Sequence, residues 1–205
     1  MLGLIRPAVV LLALFSALTG LAYPLAITGV AQLAFNAQAD GGLVTRHGVV
    51  VGSRLIGQNF ASAKYFHSRP SATQAPDPRD ASKTIDAPYN AANSTGSNLG
   101  PTSRKLIDRV KAGVAAAHAA GVKGAIPADA VTTSGSGLDP DISPAYALAQ
   151  VDAVSAVRGL APEKLRAVVE ANVEAPALGL IGEPRVNVLE LNLALDQGLA
   201  AEAAK

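Results

Sequence analysis

Between Arg6 and Asp40 the chain carries no charged side chain, and this run limits everything that follows it. A bilayer core about 30 Å thick is crossed by roughly 20 apolar helical residues, so Pro7 to Phe35 is long enough to span it with tilt to spare. The competing reading is a cleaved secretory signal, because Ala37-Gln38-Ala39 ahead of Asp40 resembles a small-residue cleavage site after a basic start. Signal h-regions run only roughly 7 to 15 residues, and the run is therefore read as a retained anchor. Arg6 and the α-amino group stand before it, Asp40 and Arg46 after it, a cation bias that favours a cytoplasmic N-terminus. The chain then divides into a cytoplasmic stub at 1–6, a transmembrane helix at 7–35 and an extracytoplasmic domain at 36–205.

Within the span, Pro24 removes a helical N–H and crowds the Gly20 carbonyl, which predicts a kink, with the Ser16 or Thr19 hydroxyl available to re-satisfy the backbone. Ala13, Ser16, Ala17 and Gly20 put small side chains at helical spacing, a surface that lets membrane helices approach closely. Gly and Pro are also commoner in membrane helices than in soluble ones, which is the plainer account of the same residues.

Past the span there is enough chain for one domain with a real core and too little for two. A net charge of +1 without a basic, aromatic-interleaved stripe argues against nucleic acid. Zero cysteines exclude disulfides and thiolate chemistry. Leu43–Arg46 and the run from Val49 to Leu55 predict a β-hairpin turning at His47-Gly48. From Ser71 to Thr102 the chain is rich in Pro, Asp, Asn, Ser and Gly and reads as a long polar loop, a kind of segment that is usually functional or mobile. Helices are predicted from Ser103 to Ala120, stopped by Gly121; from a Ser143 cap with Pro144 to Arg158-Gly159; and from Pro162 to Ala171. Arg185-Val186-Asn187-Val188 alternates like a strand. The leucines at 189, 191, 193 and 195 fit either its continuation or a helix capped by Asn187, and a short strand followed by a helix is expected. The fold class expected is mixed α/β (α+β) with a small sheet, attached to one transmembrane helix.

Chemistry is sparse. His47, His67 and His118 are scattered with no carboxylate at ligand spacing, so zinc is not expected. No G-x-S-x-G elbow is present. Ser134-Gly135-Ser136-Gly137 can turn backbone N–H groups toward an anion, but no Lys-Ser/Thr pair follows, and Asp139 and Asp141 would repel phosphate. Those carboxylates suit a hard cation, or else the positive N-terminus of the helix opening at Ser143. A membrane-anchored domain with no visible active site results, and a free-standing binder of some extracytoplasmic small molecule is one role open to it.

Several segments in order carry a resemblance to a known family: Leu18-Thr19-Gly20-Leu21-Ala22-Tyr23-Pro24, Gly52-Ser53-Arg54-Leu55-Ile56-Gly57-Gln58, Phe66-His67-Ser68-Arg69-Pro70-Ser71, Thr133 to Ser143, Ala147-Leu148-Ala149-Gln150-Val151-Asp152 and Gly182 to Leu189. On these the chain resembles the C subunit of the bacterial Kdp potassium-transporting P-type ATPase, from the span almost to the last residues. It departs from the family pattern in a longer acidic, Pro-rich insert at Gln74 to Ala87 and in Thr95, where a glycine is more usual. The resemblance implies a non-catalytic accessory subunit of an ATP-driven potassium uptake complex in the inner membrane. Its partners would be a channel-like potassium-translocating subunit, a P-type ATPase subunit and a further small membrane subunit. It implies no cofactor of the chain's own, with ATP, Mg²⁺ and K⁺ serving the complex. It also implies an alternative role as a catalytic chaperone that raises nucleotide affinity, for which Gly135, Gly137 and Gln150 would be the nucleotide contacts. An external domain cannot share cytoplasmic ATP, so assembly and support of the channel-like subunit's outer mouth is the reading preferred.

Overall fold

The computed structural model describes residues 2–203, which divide into two compact units at Val51/Gly52. In the first unit the uncharged run is one long helix: α1 (Leu2–Ala17), a π-turn (Leu18–Ala22) and α2 (Tyr23–Ala34), followed by the short α3 (Asn36–Ala39). Residues Gly3–Ala34 are long and apolar enough to cross a membrane and none is buried within the molecule. The disruption expected from Pro24 takes the form of the π-turn, in which the Tyr23 N–H reaches back to the Leu18 carbonyl. Such a turn is a common way for a helix to absorb a local irregularity. Thr19 does not serve the Gly20 carbonyl: its hydroxyl donates to Phe15 O at 2.6 Å, while Thr28 donates to the Pro24 carbonyl at 2.8 Å. A Cβ added at Gly20 would meet nothing within 4 Å, so the small-residue surface there is open.

The predicted hairpin forms from β1 (Leu43–Arg46) and β2 (Val49–Ser53). His47 (φ 51°) and Gly48 (φ 78°) turn it, both with the positive φ that a tight type I′ turn requires.

In the second unit the polar stretch at 71–102 is not structureless throughout. It contains a hairpin of β3 (Gln74–Asp77) and β4 (Asp80–Asp86), antiparallel with Gln74 opposite Asp86 and a bulge after Pro76. Polar composition hides this hairpin because side chains and backbone, rather than buried apolar groups, hold it. Ala87 N and Thr73 O bond at 3.0 Å at its base, Thr73 Oγ1 donates to Ala87 O at 2.6 Å, and Asn90 and Asn93 both donate to Gln74 O.

Helix α4 (Arg104–Ala119) follows, then a 3₁₀ turn (Ala128–Ala130), β5 (Asp141–Ile142), α5 (Pro144–Arg158), α6 (Pro162–Ala171), β6 (Val173–Glu174), β7 (Arg185–Asn187) and α7 (Val188–Ala203). The termini follow local chemistry. Ser143 Oγ accepts from Tyr146 N at 3.0 Å, Pro144 opens α5, and Gly159 (φ 66°) closes it in the left-handed conformation that costs glycine little. Asn187 Oδ1 accepts from Glu190 N at 3.2 Å, which makes the leucines after it a helix and ends the strand at three residues.

β7 lies between β5 and β6, antiparallel to both, and the sheet is small enough that α5, α6 and α7 supply most of the core. Val151, Leu165, Val169, Val186, Leu191 and Phe66 are essentially inaccessible to solvent. Each fully buried aliphatic side chain contributes about 1.5–3 kcal/mol. Phe66 is the outlier, since it comes from a segment with no regular secondary structure and still reaches the centre of the helical layer.

Candidate functional site

Gln150 is the seventh residue of α5, on the face that also buries Tyr146, Ala147, Val151 and Val154. Buried there, its amide must find partners or cost folding energy. It finds them on one residue: Oε1 accepts from His67 N at 2.7 Å and Nε2 donates to His67 O at 3.1 Å. Asn192 of α7 does the same to the preceding residue, accepting from Phe66 N at 2.8 Å and donating to Phe66 O at 2.9 Å. Two side-chain amides thus treat Phe66-His67 as a strand would, satisfying four backbone groups and fixing the Phe66 ring in the core. A third clamp holds the same segment. Arg158 lies 4.9 Å over the Tyr65 ring and reaches the Lys64 carbonyl, and Asp196 takes both the Arg158 guanidinium (3.0 Å) and the Tyr65 hydroxyl (3.1 Å).

Beside this segment, α4, α5 and the chain from Ala63 to Pro70 enclose a groove of about 770 Å³. The volume suits a small molecule, but the walls are largely small and apolar, with alanines from α4 and α5 among them. Polar atoms come from Tyr65, His67, Tyr146, Gln150, Asp152 and Lys123. Burial pushes the Tyr146 phenol up to about 12, with the Asp129 charge adding to it, so it stays a neutral group at physiological pH. Gln150 faces the groove with both ends of its amide already bonded. Among the described residues Lys123 is the one lysine or arginine lining the groove, and Asp152 also lines it. A triphosphate calls for more positive charge than that.

Gly135 and Gly137 do not line the groove; their loop packs elsewhere in the unit. Ser71 Oγ donates to Gly137 O at 2.7 Å, Ser94 Oγ to Ser136 O at 3.0 Å, and Gly57 N to Leu138 O at 2.8 Å. Gly137 (φ 68°) is required twice, because a Cβ there would lie 2.5 Å from Thr73 Cγ2 and 2.6 Å from the Thr95 carbonyl. The loop therefore presents carbonyls to serine and backbone donors and is walled in by the Ser71–Thr73 and Ser94–Gly96 segments. A Cβ added at Gly135 would meet nothing, so that residue faces open space.

The acidic pair proves to have arginine partners. Asp139 Oδ2 bonds Arg69 Nη1 at 2.8 Å, and its Oδ1 accepts from Asp141 N. Asp141 Oδ2 lies 3.1 Å from Arg185 Nε, and its Oδ1 is 3.3 Å from Asn187 Nδ2. Burial holds the Asp141 carboxyl above the ordinary 3.8, against the pull of Arg185 and with the charges of Asp139 and Glu174 adding to the rise. Among the described residues no group of three or more His, Cys, Asp or Glu is arranged to hold a metal ion. At the N-terminus of α5 the hydrogen-bonded carboxylate is Asp129, which accepts from Ser143 N at 2.6 Å and Ser143 Oγ at 3.1 Å.

Sequence reasoning missed Asn192, Asp129 and Arg158. Asn192 carried a faint signal, an amide among leucines that α7 buries; Asp129, in a 3₁₀ turn well before the helix whose capping serine it bonds, carried none.

The family described as "K+-transporting ATPase, c chain" matches residues 5–197. Among similar proteins, the potassium-transporting ATPase KdpC subunit of Bradyrhizobium diazoefficiens is 58% identical over 200 residues, covering 98% of this chain and 100% of the relative. The proteins of the same name from Methylobacterium nodulans and Rhodopseudomonas palustris are each 61% identical, covering 96% of this chain and 98% of the relative.

Proposed function

The chain belongs to the c-chain family of K⁺-transporting ATPases, and on that premise we propose that it is a non-catalytic subunit that holds the potassium-uptake complex together from outside the cytoplasm. In this reading the span docks among the membrane helices of the channel-like and ATPase subunits through its Ser16–Gly20 surface. The folded unit supports the outer mouth of the channel-like subunit. One observation carries the non-catalytic part: side chains that looked available for chemistry are taken up in internal bonds. Gln150 binds His67, Asp139 binds Arg69, Asp141 binds Arg185, and carbonyls of the glycine loop face internal donors. Groups so engaged build a rigid body and leave little with which to turn over a substrate.

The competing reading, nucleotide contact by Gln150, Gly135 and Gly137, draws support from the size of the groove that Gln150 faces. Against it stand the bonded amide, the single lysine and the position of the glycine loop outside that groove. Replacing residues 7–35 with an unrelated single-pass helix separates the possibilities. The expected result is a chain that still inserts and folds but no longer co-purifies with the other subunits or supports growth at low potassium. Unchanged assembly and transport would refute docking by the span. Protease accessibility of a tag after residue 205 in sealed vesicles tests the side of the bilayer, and a cytoplasmic tag would overturn the external placement.

A further inference from the structure

Between β6 and β7 the chain runs out into a loop whose tip is aliphatic and exposed. Leu178, Leu180 and Ile181 are 90%, 89% and 67% exposed, although nothing about the backbone there is loose. Ala177 and Ile181 exchange both backbone hydrogen bonds at 3.0 Å, Gly179 N bonds Pro176 O at 2.9 Å and Leu180 N bonds Ala177 O at 3.2 Å. Leu178 (φ 55°) and Gly179 (φ 72°) form the centre of a type I′ turn. Gly or Asn is favoured at the first of these positions, and a leucine pays for that backbone with no burial in return. A strained, ordered, wholly aliphatic tip is a knob shaped for something outside the chain.

Charge says what that something is. From Ala167 to Pro184 there is no lysine or arginine, while Glu170, Glu174 and Glu183 lie in the same stretch. Glu174 is bonded to Arg185 at 2.8 Å and lies 3.9 Å from Arg54 at the base of the loop, which leaves Glu170 and Glu183 as the exposed carboxylates flanking the tip. No tryptophan or tyrosine accompanies the leucines. A bilayer-seeking loop carries basic and interfacial aromatic residues, and acidic flanks are repelled by anionic headgroups. We propose that the Leu178–Ile181 tip docks into an aliphatic pocket with a cationic rim on another protein subunit of the complex. This rests on the accessory-subunit reading and adds to it the surface used.

The test is a double variant of the full chain, Leu178→Asn with Leu180→Ser, co-expressed with the other subunits. Asparagine tolerates φ 55°, so the variant should be at least as stable as the parent, while each lost aliphatic contact weakens association by about tenfold or more. Rising stability with falling association is a combination that a merely structural loop would not produce. If the parent chain itself fails to co-purify, the accessory reading fails. If the parent co-purifies and the variant does so with equal affinity, the knob fails alone. Because the chain has no cysteine, Leu180→Cys accepts a single environment-sensitive label. Its emission should shift to the blue in the assembled complex and not for the chain alone in nanodiscs of phosphatidylethanolamine and phosphatidylglycerol. A shift in those nanodiscs would assign the tip to lipid, and a shift with self-association in detergent would assign it to a second copy; either overturns the proposal.

Discussion

Gln150→Ala removes both bonds to His67 and leaves a backbone N–H and C=O without their partners. Each such bond contributes about 0.5–1.5 kcal/mol net, and each buried group left unpaired costs about 1–3 kcal/mol. Gln150 is 6% exposed while His67 is half-buried, so water reaches part of the vacated site and the lower part of that range applies. The expected destabilisation is about 2–4 kcal/mol. Expressed as local opening, that is a roughly 30- to 700-fold acceleration of amide hydrogen exchange at His67. Phe66 should follow less strongly, since Asn192 still holds it. Urea unfolding of the full chain in mild detergent, followed by tyrosine near-ultraviolet signals, gives the global value. Gln150→Glu keeps the acceptor for His67 N but turns the second atom against the His67 carbonyl, so it should not rescue the loss. The reasoning is refuted if Gln150→Ala leaves exchange and stability unchanged while abolishing retention of ATP, because the amide would then serve a ligand rather than the chain.

Two glycines with similar dihedrals should behave differently. Gly159→Ala meets open space and loses only about 1–2 kcal/mol of left-handed strain, whereas Gly137→Ala adds contacts with Thr73 and the Thr95 carbonyl and should fail to fold or lose several times as much, as thermal melting will read. Burial, the largest cause for each, pushes both the Tyr89 and Tyr146 phenols up to about 12 from an ordinary 10. The native state then keeps protons that the unfolded chain has released, so stability falls as pH rises from about 10 to about 12. The slope approaches 2.7 kcal/mol per pH unit for two groups, and Tyr89→Phe and Tyr146→Phe should each remove one late step from the tyrosinate absorbance titration. Asp141, raised above 3.8 chiefly by burial, likewise makes stability fall as pH rises through the window just above 3.8. The difference in urea midpoint between the parent and Asp141→Asn should show that slope, and Arg185→Ala should widen the window.

Signals that act within a few residues could be read from the chain alone. The absence of charge between Arg6 and Asp40 gives the long apolar helix, because hydrocarbon solubility is additive along a segment. His47-Gly48, Ser143-Pro144, Gly159, Gly121 and Asn187 mark a turn and helix ends because each bonds or bends backbone only a few positions away. The order of segments from Leu18 to Leu189 carried the family for the same reason: it needs no third dimension. The long-range pairings decided the rest. The glutamine that the resemblance offers as a nucleotide contact also brackets the chain, because His67, far back in the sequence, arrives beside it. The aspartates that read as cation ligands or as a helix-terminal charge gain Arg69 and Arg185 as partners, and Asp129 adds a hydrogen-bonded carboxylate at the helix terminus. The hairpin at 74–86 forms in a segment too polar to announce a strand, because asparagine and threonine side chains close it. The leucines at 178 and 180 stand exposed because the β6–β7 turn points them outward. Local rules fix a backbone's shape through neighbours on the chain, but which polar group meets which partner is set by packing, and packing sums contacts over the whole fold.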